Sequence, residues 1–138
     1  MEGCVFCKIV SGQLPCAKVY EDESILSFMD INPVSAGHTL VITKFHYEFA
    51  HQCPPKTMAK LSSKLIEIAE AVYHLSGADG YNILCNNGKA AGQEVPHLHF
   101  HIIPRFDGDG AFSKWQTGKY DSEEQIKNIC EKLKRKLG

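Results

Sequence analysis

Three histidines fall within five residues in the run Pro96-His97-Leu98-His99-Phe100-His101-Ile102-Ile103-Pro104. An imidazole titrates near neutral pH, binds metals through either ring nitrogen and attacks electrophiles when neutral. The alternation with Leu98, Phe100 and Ile102 predicts a β-strand from His97 to Pro104, with the imidazoles on one face and the apolar side chains on the other. Successive histidines on such a strand stand about 6.6 Å apart, and the outer two about 13 Å apart. The strand buries its apolar face, so the row is held rigidly at the edge of a core.

Three readings of the row differ in chemistry. Half-exposed strand positions that happen to be histidine explain one residue easily and three in register poorly. Two histidines at i and i+2 can hold one Zn²⁺ with Zn–N near about 2.0–2.1 Å, but three on one straight strand do not converge. A catalytic zinc would then need a third ligand from elsewhere and an open position for water. Alternatively, a neutral imidazole attacks phosphorus while its other nitrogen donates its proton to a neighbour. The middle residue, His99, suits that role, and the Gly92-Gln93 loop before it can offer N–H groups and an amide to phosphate oxygens. The spacing favours this reading over zinc hydrolysis.

A second group is Cys4-x-x-Cys7, which reads as half a metal site or as a redox motif. The thioredoxin-like context places such a motif after a strand, and Met1–Gly3 leaves no room for one. Cys16, Cys53, Cys85 and Cys130 are scattered and read as small hydrophobes.

The elements that position these residues follow from periodicity. Lys18 to Glu21 and Ile25 to Asp30 read as a hairpin around Asp22-Glu23-Ser24. Asn32–Gly37 is a loop, and His38 to Thr43 is a strand. Met58, Leu61, Leu65, Ile68, Ala69, Val72 and Leu75 recur at helical spacing over Pro55 to Leu75, with Gly77 as the stop. Tyr81 to Asn86 is a strand, and 87–93 is a flexible loop. Ile126, Ile129, Cys130, Leu133 and Leu137 mark an amphipathic C-terminal helix whose basic residues form a solvated face. A meander of strands with one long helix inserted predicts an α+β fold with an antiparallel sheet.

A chain of 138 residues with a formal net charge of −1 reads as one domain, 1–138, with no electrostatic case for binding nucleic acid or a membrane surface. Without a signal-like or membrane-spanning apolar segment, a cytoplasmic, reducing location is expected.

His97-Leu98-His99-Phe100-His101-Ile102-Ile103 resembles the signature of the histidine triad (HIT) superfamily, in which histidines alternate with apolar residues. The likeness extends along the chain. Cys4–Val10 with Leu14-Pro15 resembles the opening segment, and Phe28–Pro33 with Gly37–Ile42 the central signature. Asn86-Asn87-Gly88 and Ala91-Gly92-Gln93 resemble the loop before the triad. The set is most similar to the Hint-like branch and its microbial zinc-containing members.

That resemblance implies a HIT-like fold: a five-stranded antiparallel sheet, one long central helix and a C-terminal helix. It also implies a homodimeric hydrolase or transferase acting at the α-phosphate of purine nucleoside 5′-monophosphate esters and amides. His99 would be the nucleophile, flanked by His101 and held from behind by His38. Asn86 and Gln93 would contact phosphate and leaving group beside Gly92, and Asp30 would accept from the ribose hydroxyls. Val5, Phe6, Ile9, Phe28 and Ile31 would line the base pocket. Cys4, Cys7, His46 and His97 would bind a structural zinc, with His51 a weaker competitor for the third position. Cys₂His₂ is a closed tetrahedral set with no position left for catalysis. The implied mechanism needs a neutral His99, so activity should fall as pH drops through its pKa.

One departure from the branch stands at Glu94, where many Hint-like proteins carry a Ser or Thr that helps protonate the leaving group. A carboxylate there could act as an acid, repel phosphate or face solvent. Two other classes remain: a hydrolase whose triad holds a catalytic zinc, and a non-catalytic nucleotide-binding module.

Overall fold

A computed structural model describes residues 1–112 and 116–138. Its strands are β1 (Lys18–Glu21), β2 (Ile25–Met29), β3 (Thr39–Thr43), β4 (Gly80–Leu84) and β5 (His99–Arg105), and its helices are α1 (Val5–Val10), α2 (Pro55–Ser76) and α3 (Glu123–Leu137). The strands form one antiparallel sheet in the order β1-β2-β3-β5-β4. This is the α+β architecture read from the sequence, with its long central helix and its C-terminal helix. The first hairpin turns at Asp22, whose Oδ1 accepts from the N–H groups of Ser24 (2.8 Å) and Ile25 (2.9 Å).

Period-two alternation gives the sheet two different faces. Ile25, Val41 and Ile102 point to one side and pack under Leu61, Leu65, Ile68 and Ala69 of α2. Pro55 opens that helix, where its missing N–H costs nothing, and Gly77 ends it at φ 68°. Leu75, read from its spacing as part of the buried stripe, is 89% exposed. The last turn of α2 therefore carries the helical pattern beyond the core that the pattern serves.

Leu26, Phe28, Leu40 and Ile42 point to the other face, where Cys4 and Phe6 of the N-terminal segment cover them. His99 pairs with Ile42 and His101 with Leu40, so both imidazoles lie on this second face. The row is thus enclosed between sheet and N-terminal segment, which explains why His97 and His99 are buried.

Strand ends shift from the sequence reading, most consequentially at β5, which begins at His99. The His97 N–H donates to the Val95 carbonyl (2.8 Å) and the Leu98 N–H to the Tyr47 carbonyl (2.6 Å). Those bonds turn His97 out of the ladder and toward the N-terminus of the chain.

α3 forms as expected, with the Ser122 hydroxyl accepting from the Gln125 N–H (3.1 Å), but it buries none of its residues. Its apolar stripe of Ile126, Ile129, Leu133 and Leu137 is exposed. No helix is long and apolar enough to cross a membrane among the described residues.

Candidate active site and metal centre

Hydrogen bonds to backbone groups assign the tautomer of each imidazole, because a carbonyl only accepts and an N–H only donates. The His99 Nδ1–H donates to the carbonyl of His97 at 2.6 Å, which leaves the Nε2 lone pair free. The His97 Nε2–H donates to the carbonyl of Thr43 at 2.6 Å, which leaves Nδ1 free. The Val34 N–H donates to His38 Nδ1 at 3.0 Å, so the proton of neutral His38 sits on Nε2. That Nε2–H points to His101 Nδ1 at 2.9 Å, and His101 in turn carries its proton on Nε2.

The two free lone pairs serve different places. That of His99 belongs to a cavity of about 800 Å³ between the second sheet face and the N-terminal segment. Val5, Phe6, Ile9, Phe28 and Ile31 line its apolar part, and Asp30, His38, Asn86, Gly92, His99 and His101 its polar part. Phe6 stands edge-on to His99, with ring centroids 5.0 Å apart. The rings of His99 and His101 approach to 4.9 Å, closer than their backbone spacing, because both lean into the same space. Asp30 Oδ1 accepts from the Asn32 N–H at 2.8 Å, while Oδ2 lies 3.4 Å from His38 Nε2.

Gln93 is placed differently from the rest. It does not line the cavity. Its Oε1 accepts from the Gly88 N–H at 2.7 Å and its Nε2 donates to the Glu48 carbonyl at 2.9 Å. The amide expected at the phosphate is spent on holding the loop. Gly92, at φ 92°, makes the left-handed turn that sends Gln93 inward and Glu94 to the cavity rim. The sequence reading also missed Val34, whose backbone N–H fixes His38. Only a loop folded back on its own histidine reveals that role.

Burial lowers the pKa of every histidine in the row. It takes His97 and His101 to about 4 and also depresses His38 and His99. Neighbouring imidazoles push His101 further down, whereas the Asp30 carboxylate opposes the shift at His38. The folded chain therefore favours neutral rings. Imidazole ordinarily titrates at 6.5, so this contribution to stability is complete above that pH and is lost as pH falls from there toward about 4.

The second lone pair, on His97 Nδ1, faces Cys4 Sγ at 3.4 Å, Cys7 Sγ at 3.6 Å and His46 Nδ1 at 3.2 Å. Cys7 Sγ lies 3.3 Å from His46 Nδ1. Tetrahedral coordination with Zn–S of about 2.3 Å and Zn–N of about 2.05 Å sets S···N edges near about 3.6 Å and N···N edges near about 3.3 Å. The separations just given lie close to those edges, and all four ligand atoms fall within 4.8 Å of one another. The Thr43 carbonyl supplies the outer hydrogen bond that orients a metal-bound histidine. They can hold one metal ion. His51 is outside the group and stacks on Phe49.

Asp30, His38 and His101 also lie within metal-binding reach of one another. Their hydrogen bonds oppose such use. A metal on His38 Nε2 would displace the proton to Nδ1, setting it against the Val34 N–H at 3.0 Å. This trio is a proton chain, and the metal-compatible group is the cysteine-containing one.

A buried, backbone-locked imidazole row opens on a largely apolar cavity, beside a separate thiol–imidazole cluster, in an α+β fold: an arrangement that can support nucleophilic histidine chemistry on a small molecule. The HIT domain family matches residues 11–108, and the chain belongs to that family. A HIT family protein from Bacillus subtilis superposes with a TM-score of 0.90 at 39% identity, covering 99% of this chain and 98% of that one. A Zn-bound histidine triad family protein from Mycobacterium smegmatis is similar at 39% identity and TM-score 0.75, over 97% of each chain. The adenosine 5′-monophosphoramidase of Schizosaccharomyces pombe is 37% identical over 134 residues, 97% of this chain and 98% of that protein.

Proposed function

We propose that this protein, working as one domain over 1–138, hydrolyses purine nucleoside 5′-monophosphate amides and esters at the α-phosphorus. Adenosine 5′-monophosphoramidate is the simplest substrate. The observation that carries the reading is the tautomer of His99, whose proton is held by a backbone carbonyl so that Nε2 is a free lone pair in the cavity. The name of the fission yeast relative supports the same activity.

The purine lies among Val5, Phe6, Ile9, Phe28 and Ile31, and the ribose hydroxyls donate to Asp30. His99 Nε2 attacks phosphorus and the bond to the departing nitrogen or oxygen breaks, giving a nucleotidyl-histidine. The Nδ1–H bond to the His97 carbonyl stabilises the positive charge that develops on the ring. The His101 Nε2–H, oriented through His38, hydrogen-bonds to the departing atom and keeps its proton. Asn86 and the loop N–H groups about Gly92 cradle the phosphoryl oxygens, and Gln93 acts by holding that loop in place. Water at the cavity mouth gives its proton to the leaving group. The remaining hydroxide attacks phosphorus, breaks the P–N bond to His99 and releases the nucleoside monophosphate.

We further infer that Cys4, Cys7, His46 and His97 hold a structural zinc, which when bound cross-links the N-terminal segment to the triad. The named zinc-bound relative supports the choice of metal. Free thiols at both cysteines fit a reducing cytoplasm. A homodimer fits the outer edge of β4, which pairs with β5 alone among the described residues.

Rapid-quench mass spectrometry with adenosine 5′-monophosphoramidate tests the mechanism. The expected result is an AMP adduct on the peptide containing His99 during turnover. Turnover at saturating substrate with an adduct elsewhere, or with inversion of configuration at an isotopically chiral phosphorus showing direct attack of water, overturns it.

The pH profile gives a second check. Protonation of His99 removes the nucleophile, and burial makes that protonation harder than in free imidazole. The acid limb of kcat/KM should therefore fall below pH 6.5, lower than the sequence alone suggests. A limb centred at or above that ordinary value would show that the titrating group is not buried His99.

A further inference from the structure

The cavity handles a phosphate, yet among the described residues no lysine or arginine lines it. Its charged side chains are two carboxylates, Asp30 and Glu94. Asp30 is committed beside His38 at one end. Glu94 has no hydrogen-bond or ion-pair partner among the described residues. It is exposed yet lines the cavity, which places it at the rim on the His99 side. The loop fixes this position. Gln93 is anchored by Gly88 and Glu48, so its two neighbours in sequence, Gly92 and Glu94, are the ones presented to the cavity.

A carboxylate at that rim is costly if the departing group is anionic and useful if it is cationic. The α-phosphate of a phosphoramidate carries one negative charge and is met by neutral donors. Nothing on the described rim meets a second negative charge on the leaving group. An ammonium on the leaving group, by contrast, finds Glu94 in its exit path. The interaction is partly screened there, so its effect is moderate and salt-dependent.

We propose that Glu94 is a specificity-determining residue that selects, among nucleoside monophosphate amides, those whose departing amine bears a positive charge. This deepens the reading of the site as a nucleotide hydrolase and rests on it. The substrate class is an AMP amide of a diamine, whose second amine remains an ammonium, in preference to an amide of an acidic amine or any ester with an anionic leaving group.

The test compares kcat/KM for AMP amides of three amines of matched length: 1,4-diaminobutane, n-pentylamine and 4-aminobutyrate. Wild type should prefer the cationic over the neutral leaving group by about five- to tenfold, and the neutral over the anionic by a similar factor, at low ionic strength. The order should flatten in Glu94→Gln, invert in Glu94→Lys and weaken as salt rises. Ratios taken within each variant are insensitive to a general loss of active protein. Equal rates for the three amides in wild type, or a preference that survives in Glu94→Gln, would overturn the role of Glu94 while leaving the hydrolase reading intact. Absence of turnover on all three amides and on the parent phosphoramidate would instead overturn the hydrolase reading itself.

Discussion

His99→Ala should lower AMP release from adenosine 5′-monophosphoramidate by at least about 10³-fold, roughly 4 kcal/mol of transition-state stabilisation, with the metal content unchanged. The size follows from what the substitution removes. It deletes the atom proposed to form the covalent intermediate, and neither neighbouring histidine of the row can take over. The His101 Nδ1 is engaged by His38 and its Nε2 carries a proton, so it has no free lone pair for phosphorus. His97 directs its lone pair at Cys4, Cys7 and His46, away from the cavity. The metal control is informative because His99 is not within the thiol–imidazole group, although its proton is held by the backbone of a residue that is. Steady-state AMP release and bound zinc, measured on the same samples, check the prediction. Loss of zinc together with activity would make the triad a metal site. A decrease of less than about tenfold would place the nucleophile elsewhere. Tight AMP binding by a wild type that turns over no amide or ester would leave a binding module.

Much of this arrangement is written in local pattern. Period-two alternation placed the imidazoles opposite Phe100 and Ile102, and the sheet keeps that division through the pairing of His99 with Ile42 and His101 with Leu40. Spacings of three and four located α2 because its buried stripe packs on a single sheet face. The parts that local pattern missed depend on contacts distant in sequence. His97 leaves the strand because the Tyr47 carbonyl takes the Leu98 N–H. Gln93 turns inward because Glu48 and Gly88 offer it partners. The α3 stripe has the periodicity of a buried helix, but periodicity states what a helix can cover and not whether anything is there to be covered. Tautomers were equally hidden, since they rest on single backbone groups such as the Val34 N–H and the Thr43 carbonyl.

Cys7→Ser should abolish stoichiometric zinc binding and lower the thermal midpoint by about 12–20 °C. That corresponds to about 4 kcal/mol for a metal present at roughly a thousand times its dissociation constant. The site is costly when it lacks a cation. Burial raises the Cys4 thiol above its ordinary pKa and lowers His46 and His97 below theirs, which disfavours a thiolate–imidazolium pair between Cys4 and these imidazoles and leaves them only weak S–H···N contacts. A divalent ion reverses this by displacing the thiol protons, and its binding energy then appears as folding energy. The mechanical consequence falls on the active site. Cys4 caps the first turn of α1 and Cys7 lies within it, while Phe6 between them packs edge-on against both His97 and His99. Releasing the N-terminal segment therefore loosens one wall of the cavity and the packing of the nucleophile together. Activity at a temperature where the variant remains folded should fall less than in His99→Ala, with the loss expressed mainly in KM, because Val5, Phe6 and Ile9 line the apolar part of the cavity, which on the proposed reading takes the purine rather than the phosphorus. Calorimetry and metal analysis of wild type, chelator-treated wild type and Cys7→Ser decide the matter. An unchanged midpoint after complete removal of zinc would show that the cluster does not cross-link the fold. If chelation abolished turnover while the midpoint and nucleotide binding both survived, the metal would belong to the chemistry, and His99 would have to give up its role as nucleophile.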